Sequence, residues 1–152
     1  MTETGTTTTR AAPVRLPQAL WDEIARHGEE TFPDECCGAL LGREEDGVRV
    51  VDRLLPIDNV WDETERRRRF MIDGRTVMRV EKDAAREGLL VLGYYHSHPD
   101  APARPSEFDR EWALPWNTYL IASIRSGRYD TLTGWQLKDD RSGYDEVEVR
   151  DA

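Results

Sequence analysis

Leu89-Leu90-Val91-Leu92-Gly93-Tyr94-Tyr95-His96-Ser97-His98-Pro99 is the stretch on which the reading of this chain turns. Residues 89–95 form its most apolar segment, too uniformly apolar for a half-exposed strand, and read as a central strand covered on both faces. Two of the three histidines follow at the exit. Side chains at i and i+2 of a strand share a face, with Cα atoms about 6.5–7 Å apart. His96 and His98 so placed can converge on one ion at about 2.0–2.1 Å each. Pro99 cannot donate to a strand ladder and is expected to stop the strand, leaving both rings at its mouth. The plainer alternative is a pair of half-exposed polar side chains at a strand end.

Working outward, Gly88 ends a helix whose face is marked by Val77, Val80 and Ala84. A further helix starts at Pro17, carries Leu20, Ile24 and His27 at helical spacing, and is ended by Pro33. Cys36 to Leu41, closed by Gly42, reads as a buried strand. Glu44-Glu45-Asp46-Gly47 is a turn, and a second strand starts at Val48, giving a hairpin. Asn59 to Arg69 is a charged loop ending in four arginines, Arg66 to Arg69, and Phe70 to Ile72 is a short strand. Downstream, Pro99 to Pro105 is a Pro-rich loop and a short helix starts at Ser106. Thr118–Ile124, Thr131–Leu137 and Val147–Val149 supply the last strands. The fold class is α/β (α+β), a mixed sheet with two or three helices. Residues 1–13 read as a disordered Thr-rich tail and 14–152 as one domain.

Composition narrows the function. The chain has 152 residues, enough for one domain with a core of its own. With 21 basic and 30 acidic residues the net charge is −9, which argues against a nucleic-acid or anionic-membrane binder. No apolar run approaches the roughly 18 residues of a transmembrane helix, and the N-terminus has no secretory pattern. The two cysteines, Cys36 and Cys37, are neighbours and supply neither a disulfide framework nor a four-thiolate zinc site. They read as small buried side chains of a reduced, cytoplasmic protein. Tyr94, Tyr95, Trp112, Trp116 and Trp135 read as core or pocket wall. Glu63 and Glu65 beside the four arginines make that loop a solvated one, or a grip for an incoming peptide tail.

Ser106-Glu107-Phe108-Asp109 is the second chemical piece. By itself it is a capping box, a serine N-cap with a carboxylate three residues on. Beside the histidines it gains another use, because Asp109 on the adjacent helix can close a His-His-Asp set. Three protein ligands leave a fourth tetrahedral position open, the catalytic rather than the structural pattern. The sequence contains neither His-Glu-x-x-His nor Pro-Cys-x-x-Cys.

His96-Ser97-His98-Pro99, six residues, then Ser106-x-x-Asp109 resembles the zinc signature of the JAMM (MPN+) metallopeptidases. Pro33-Asp34-Glu35-Cys36-Cys37-Gly38 is similar to the catalytic-glutamate segment of that family, and the likeness runs from about Val14 to Val149. The resemblance implies the JAMM/MPN fold, a curved mixed sheet flanked by helices with zinc at one end. It implies one Zn²⁺ per chain on His96, His98 and Asp109, Glu35 as general base and Ser106 as oxyanion donor. Such chemistry is coherent: zinc lowers the pKa of its water to about 7, and a carboxylate off the metal carries the proton. Read on its own, Glu35 is equally an exposed turn acid.

Within the family the chain looks most like bacterial stand-alone members that trim small ubiquitin-like sulfur carriers. The resemblance therefore implies a peptidase cutting after the C-terminal Gly-Gly of a small β-grasp carrier, in cysteine biosynthesis or thiocarboxylate formation. An isopeptidase acting on lysine-linked ubiquitin-like modifiers, a phage-tail or RadC-like branch, and an interaction module that keeps zinc for structure are the rivals. Oligomeric state is left open, a homodimer included.

Overall fold

The computed structural model describes residues 11–58 and 74–151. Their elements are β1 (Val14–Arg15), α1 (Gln18–Thr31), β2 (Cys37–Glu45), β3 (Val48–Ile57), α2 (Gly74–Arg86), β4 (Leu90–Pro99), α3 (Glu107–Trp112), β5 (Thr118–Arg125), β6 (Arg128–Leu137), β7 (Tyr144–Val147) and β8 (Val149–Arg150). The four arginines, the loop around them, the short strand expected at Phe70–Ile72 and residues 1–10 of the Thr-rich lead lie outside the described residues. Ala12 and Pro13 already engage the domain. The Ala12 N–H donates to Gln136, and the Pro13 carbonyl accepts from the Arg49 N–H at 3.0 Å.

All eight strands join one sheet in the order β7-β6-β5-β4-β2-β3-β1-β8. The pairs β4–β5, β1–β3 and β1–β8 are parallel and the others antiparallel, so the sheet is mixed as expected. β7 and β8 sit at opposite ends of that order, yet only Glu148 separates them along the chain. The sheet must therefore curl until its ends meet. Gly134 of β6 lies at this seam, where a Cβ would come within 2.9 Å of side chains of both Val147 and Val149.

Two apolar clusters cover the sheet. One gathers Leu16, Ile24 of α1, Leu40, Tyr95, Leu120 and Ile124. The other gathers Ala39, Leu41, Tyr94 and Tyr119 with Val80 and Ala84 of α2. The buried line of α2 runs Thr76, Val80, Ala84, so Thr76 takes the fully buried place expected of Val77. The strict four-residue step from Ala84 selects Thr76.

The β2–β3 hairpin closes on Asp46 (φ 52) and Gly47 (φ 79), a two-residue turn with both central residues at positive φ. That turn suits the right-handed twist of the strands, and Asp-Gly is a preferred sequence for it. A register shift lies between Leu40 and Leu41 opposite β4, where Leu40 faces Gly93 and Leu41 faces Val91. Leu92 is the additional residue, and Gly93 beside it meets β5 closely. A Cβ there would lie 1.8 Å from the Thr118 carbonyl oxygen.

Of the two expectations for Trp116, core or pocket wall, the first fails: it is 47% exposed, with the Arg49 guanidinium 4.2 Å over its ring. Arg49 is the buried partner instead, bonded to the Trp116 carbonyl at 2.6 Å and the Thr118 hydroxyl at 2.7 Å. Tyr94 and Tyr95 are buried and Trp135 is half-buried. The Trp112 side chain lies outside the described set. Among the described residues, no helix is long and apolar enough to cross a membrane.

Candidate metal centre

The exit of β4 differs from its sequence reading in one respect. The strand runs through Pro99, because parallel β5 continues alongside and pairs Ser123 with His98 and Ile124 with Pro99. His96 and His98 are 1% and 7% exposed, so they are buried rather than half-exposed at a strand mouth. The loop after Pro99 folds back over them and is tied to the sheet, with the Ser123 and Thr133 hydroxyls donating to the Ala101 and Ala103 carbonyls.

His98 Nδ1 lies 2.8 Å from the Pro102 carbonyl oxygen. A carbonyl only accepts, so this contact puts the proton on Nδ1 and leaves the Nε2 lone pair facing the other way. His96 Nε2 is 3.2 Å from His98 Nε2. The Oδ2 atom of Asp109 is 3.4 Å from His96 Nε2 and 3.3 Å from His98 Nε2. Three donors thus form a nearly equilateral triangle.

That triangle tests whether a metal fits. Ligands at about 2.0–2.1 Å from a tetrahedral zinc are separated by about 3.3–3.4 Å, which matches the observed edges. Among the described residues, His96, His98 and Asp109 form the one group whose ligand atoms converge closely enough to hold an ion. The donor set of two imidazoles and a carboxylate also suits zinc.

Protonation favours the same use. Burial pushes His96 below its ordinary pKa, as does His98, against the opposing pull of Asp109. That direction favours the neutral ring. Burial alone would raise the Asp109 carboxyl, but His96 and His98 outweigh it and hold the group far below the usual carboxylate range. Neutral imidazole and ionised carboxylate are the states that ligate.

Asp109 reaches the histidines from the first turn of α3. Ser106 is the N-cap: its hydroxyl accepts the Asp109 N–H at 3.1 Å, and the Ser106 N–H donates to Asp109 Oδ2 at 2.8 Å. The capping box and the candidate ligand set are therefore one structure. Oδ2 is the oxygen that faces both histidines, and the cap fixes its rotamer.

Glu35 sits just before β2 and is 4% exposed, which removes the exposed-turn alternative. Cys37 pairs with His96 across antiparallel β2 and β4, and the Ser97 N–H donates to the Cys36 carbonyl at 3.1 Å. Continuing that register sets Glu35 opposite His98, on the face that carries the triad. The Ser97 hydroxyl, between the two histidines, accepts the Cys36 N–H at 2.8 Å and fastens the end of β2. Burial, and then the charge of Asp109, raises the Glu35 carboxyl well above the ordinary range. A carboxyl whose pKa is shifted by burial and a specific charged neighbour is a candidate proton carrier.

Cys36 and Cys37 are buried free thiols. Burial lifts Cys36 to about 11 and Cys37 further still, so neither supplies a thiolate at neutral pH. Sequence reading missed the Pro102 carbonyl and the Ser97 hydroxyl. Residue type does not signal the first, since a backbone carbonyl is common to every position, and the partner of the second, the Cys36 N–H, comes from 61 residues away.

Residues 17–138 match the family described as prokaryotic homologs of the JAB domain. A probable TtuB-protein conjugate cleaving protease of Thermus thermophilus is 31% identical over 114 residues, spanning 73% of this chain and 72% of that one. A desampylase of Haloferax volcanii is 34% identical over 107 residues, 67% of this chain and 74% of the other. A JAB1/MPN domain protein of Archaeoglobus fulgidus shares the fold at a TM-score of 0.55 and 20% identity, over 91% of this chain and 98% of its own. Fold, curved sheet and sequence match agree: the chain belongs to the JAMM/MPN family, among the prokaryotic homologs of the JAB domain.

Proposed function

We propose that the chain is a zinc peptidase that hydrolyses the bond after the C-terminal Gly-Gly of a small β-grasp, ubiquitin-like sulfur carrier. The observation that carries the reading is the His96–His98–Asp109 triangle, with edges of 3.2–3.4 Å, beside a buried carboxyl at Glu35. One Zn²⁺ held there would lower the pKa of its water to about 7 and polarise the scissile carbonyl. Glu35 accepts the proton of the attacking water and returns it to the leaving amine. The Ser106 hydroxyl accepts from the Asp109 N–H and keeps its own O–H to donate to the developing oxyanion. His98, fixed through Nδ1 by Pro102, and Asp109, fixed by its cap, hold their ligand atoms in place before metal arrives. Neither role uses Cys36 or Cys37, and a reduced cytoplasmic setting suits both thiols.

A second reading keeps this chemistry and changes the bond. Two relatives are named for cleaving TtuB-protein conjugates and for desampylation, which favours an isopeptide between a carrier C-terminus and a protein amine. Both readings need an extended tail whose last residues bring no Cβ near the metal, which is what glycine provides.

The test offers three substrates to the zinc-loaded protein: a carrier ending in Gly-Gly-Cys, the same carrier ending in Gly-Ala-Cys, and a lysine-linked carrier dimer. Rapid cleavage of the first and slow cleavage of the second is expected. Equal rates on those two would defeat the glycine requirement, and turnover of the dimer alone would move the assignment to an isopeptidase.

A further inference from the structure

We propose that Arg141, in the loop between β6 and β7, is a positioning residue for the metal ligand Asp109. It acts by capping the far end of α3. The inference rests on the metal-binding reading of His96, His98 and Asp109.

An α-helix leaves its last carbonyls without intrahelical partners, and a helix of a turn or two is marginal by itself. α3 has six residues, Glu107–Trp112, and carries Asp109 in its first turn. The Arg141 guanidinium fills the deficit at the other end. One Nη donates to the Ala113 carbonyl at 2.8 Å, and the other donates to Arg110 at 2.8 Å and Glu111 at 3.3 Å. A rigid planar fork suits several diverging acceptors better than a single ammonium, and its positive charge matches the negative end of the helix. The tie is reciprocal, since Arg110 donates back to the Arg141 carbonyl at 2.8 Å.

The loop that presents this side chain is itself braced. Arg141 has φ 64, in the left-handed region that favours glycine. It is held there by its own N–H on the Lys138 carbonyl and by the Lys138 N–H on the Gly143 carbonyl, each at 2.8 Å. The Asp140 carboxylate takes both the N–H and the hydroxyl of Ser142. A position where glycine fits with less strain thus holds an arginine, whose side chain reaches back to the ligand-bearing helix. The chain leaving α3 has a separate anchor, the Leu114 N–H on the Tyr119 hydroxyl at 2.8 Å. Loss of Arg141 therefore frees the helix end without releasing the connection to β5. Rotation of a helix this short moves Asp109 Oδ2 directly, because the residue lies within one turn of the capped carbonyls.

The test measures zinc affinity by competition with a fluorescent chelator for wild type, Arg141→Gly, Arg141→Lys and Ile24→Val. Metal-free thermal melts are recorded for each. Glycine accepts φ 64, so Arg141→Gly keeps the loop while removing the cap. Zinc binding 10–100-fold weaker is expected, the usual loss when a group supporting a ligand is removed. Arg141→Lys should recover part of it, and Ile24→Val, a core change on the buried face of α1, should bind zinc as wild type does. Arg141→Gly binding within threefold of wild type would overturn the proposal. So would equal affinity losses in Arg141→Gly and Ile24→Val, which would mark a general effect of stability. Failure of wild type to bind zinc would instead remove the reading on which the proposal rests.

Discussion

The Oδ2 atom of Asp109 accepts the Ser106 N–H at 2.8 Å while lying 3.3 Å from His98 Nε2 and 3.4 Å from His96 Nε2. The helix cap and the proposed metal ligand are therefore one oxygen. Anything that disturbs the first turn of α3 reaches the candidate metal centre through that atom.

Ser106→Ala removes the hydroxyl that accepts the Asp109 N–H and leaves the backbone half of the box in place. Loss of an N-cap costs about 1 kcal/mol, and Ser106→Thr should restore most of it. Turnover by Ser106→Ala should fall, but by less than for Glu35→Gln, because a zinc held by the triad would also polarise the carbonyl. Denaturant melts and initial rates on the same samples separate the two effects. Unchanged rates per folded molecule would leave the serine as a cap alone.

Glu35 gives a pH prediction for the metal-free protein. Its folded pKa is raised by burial and then by Asp109, so the folded chain holds that proton to higher pH than the unfolded chain does. Stability from this group is greatest in acid and declines as pH rises from the ordinary carboxylate value through the folded one. Glu35→Gln should accordingly melt above wild type at pH 7.5 in EDTA, with the gap closing toward pH 4. A gap independent of pH would show that the carboxyl does not titrate in this way.

Gly93 is the tightest point between β4 and β5, with the Thr118 carbonyl oxygen 1.8 Å from where a Cβ would stand. Gly93→Ala must push β4 and β5 apart three residues before His96. Destabilisation of several kcal/mol is expected, at the large end for a single substitution. Near-wild-type melting would contradict the close approach.

Thiol reagents should not inhibit. Cys36 and Cys37 are buried and protonated, Cys36 at about 11 through burial. Iodoacetamide at pH 8 should leave turnover intact while EDTA abolishes it, and the reverse pattern would make this a thiol enzyme.

Much of this was legible in the sequence because it depends on local chemistry. The apolar run before His96 had to be a central strand, Asp46-Gly47 had to turn, and the Ser106-to-Asp109 spacing had to cap. β1 was not legible, since two residues carry no periodicity. The strand expected at Val147–Val149 is broken at Glu148 into the end of β7 and the start of β8, whose strand character comes from the partner it joins. Arg49 interrupts a strand pattern as a charged residue should at the surface. It is buried because the Trp116 carbonyl and Thr118 hydroxyl meet it from a part of the chain some 70 residues away. Burial of the histidines was hidden for the same reason, since the loop after Pro99 covers them only once β5 and β6 hold it down.

The most direct measurement compares wild type and Glu35→Gln for zinc content, by elemental analysis, and for turnover of a carrier extended beyond Gly-Gly. One zinc per chain in both proteins is predicted, with turnover of the variant lower by about 10²–10⁴-fold, the usual worth of a general base. A fully zinc-loaded Glu35→Gln protein that turns over within threefold of wild type would contradict the account.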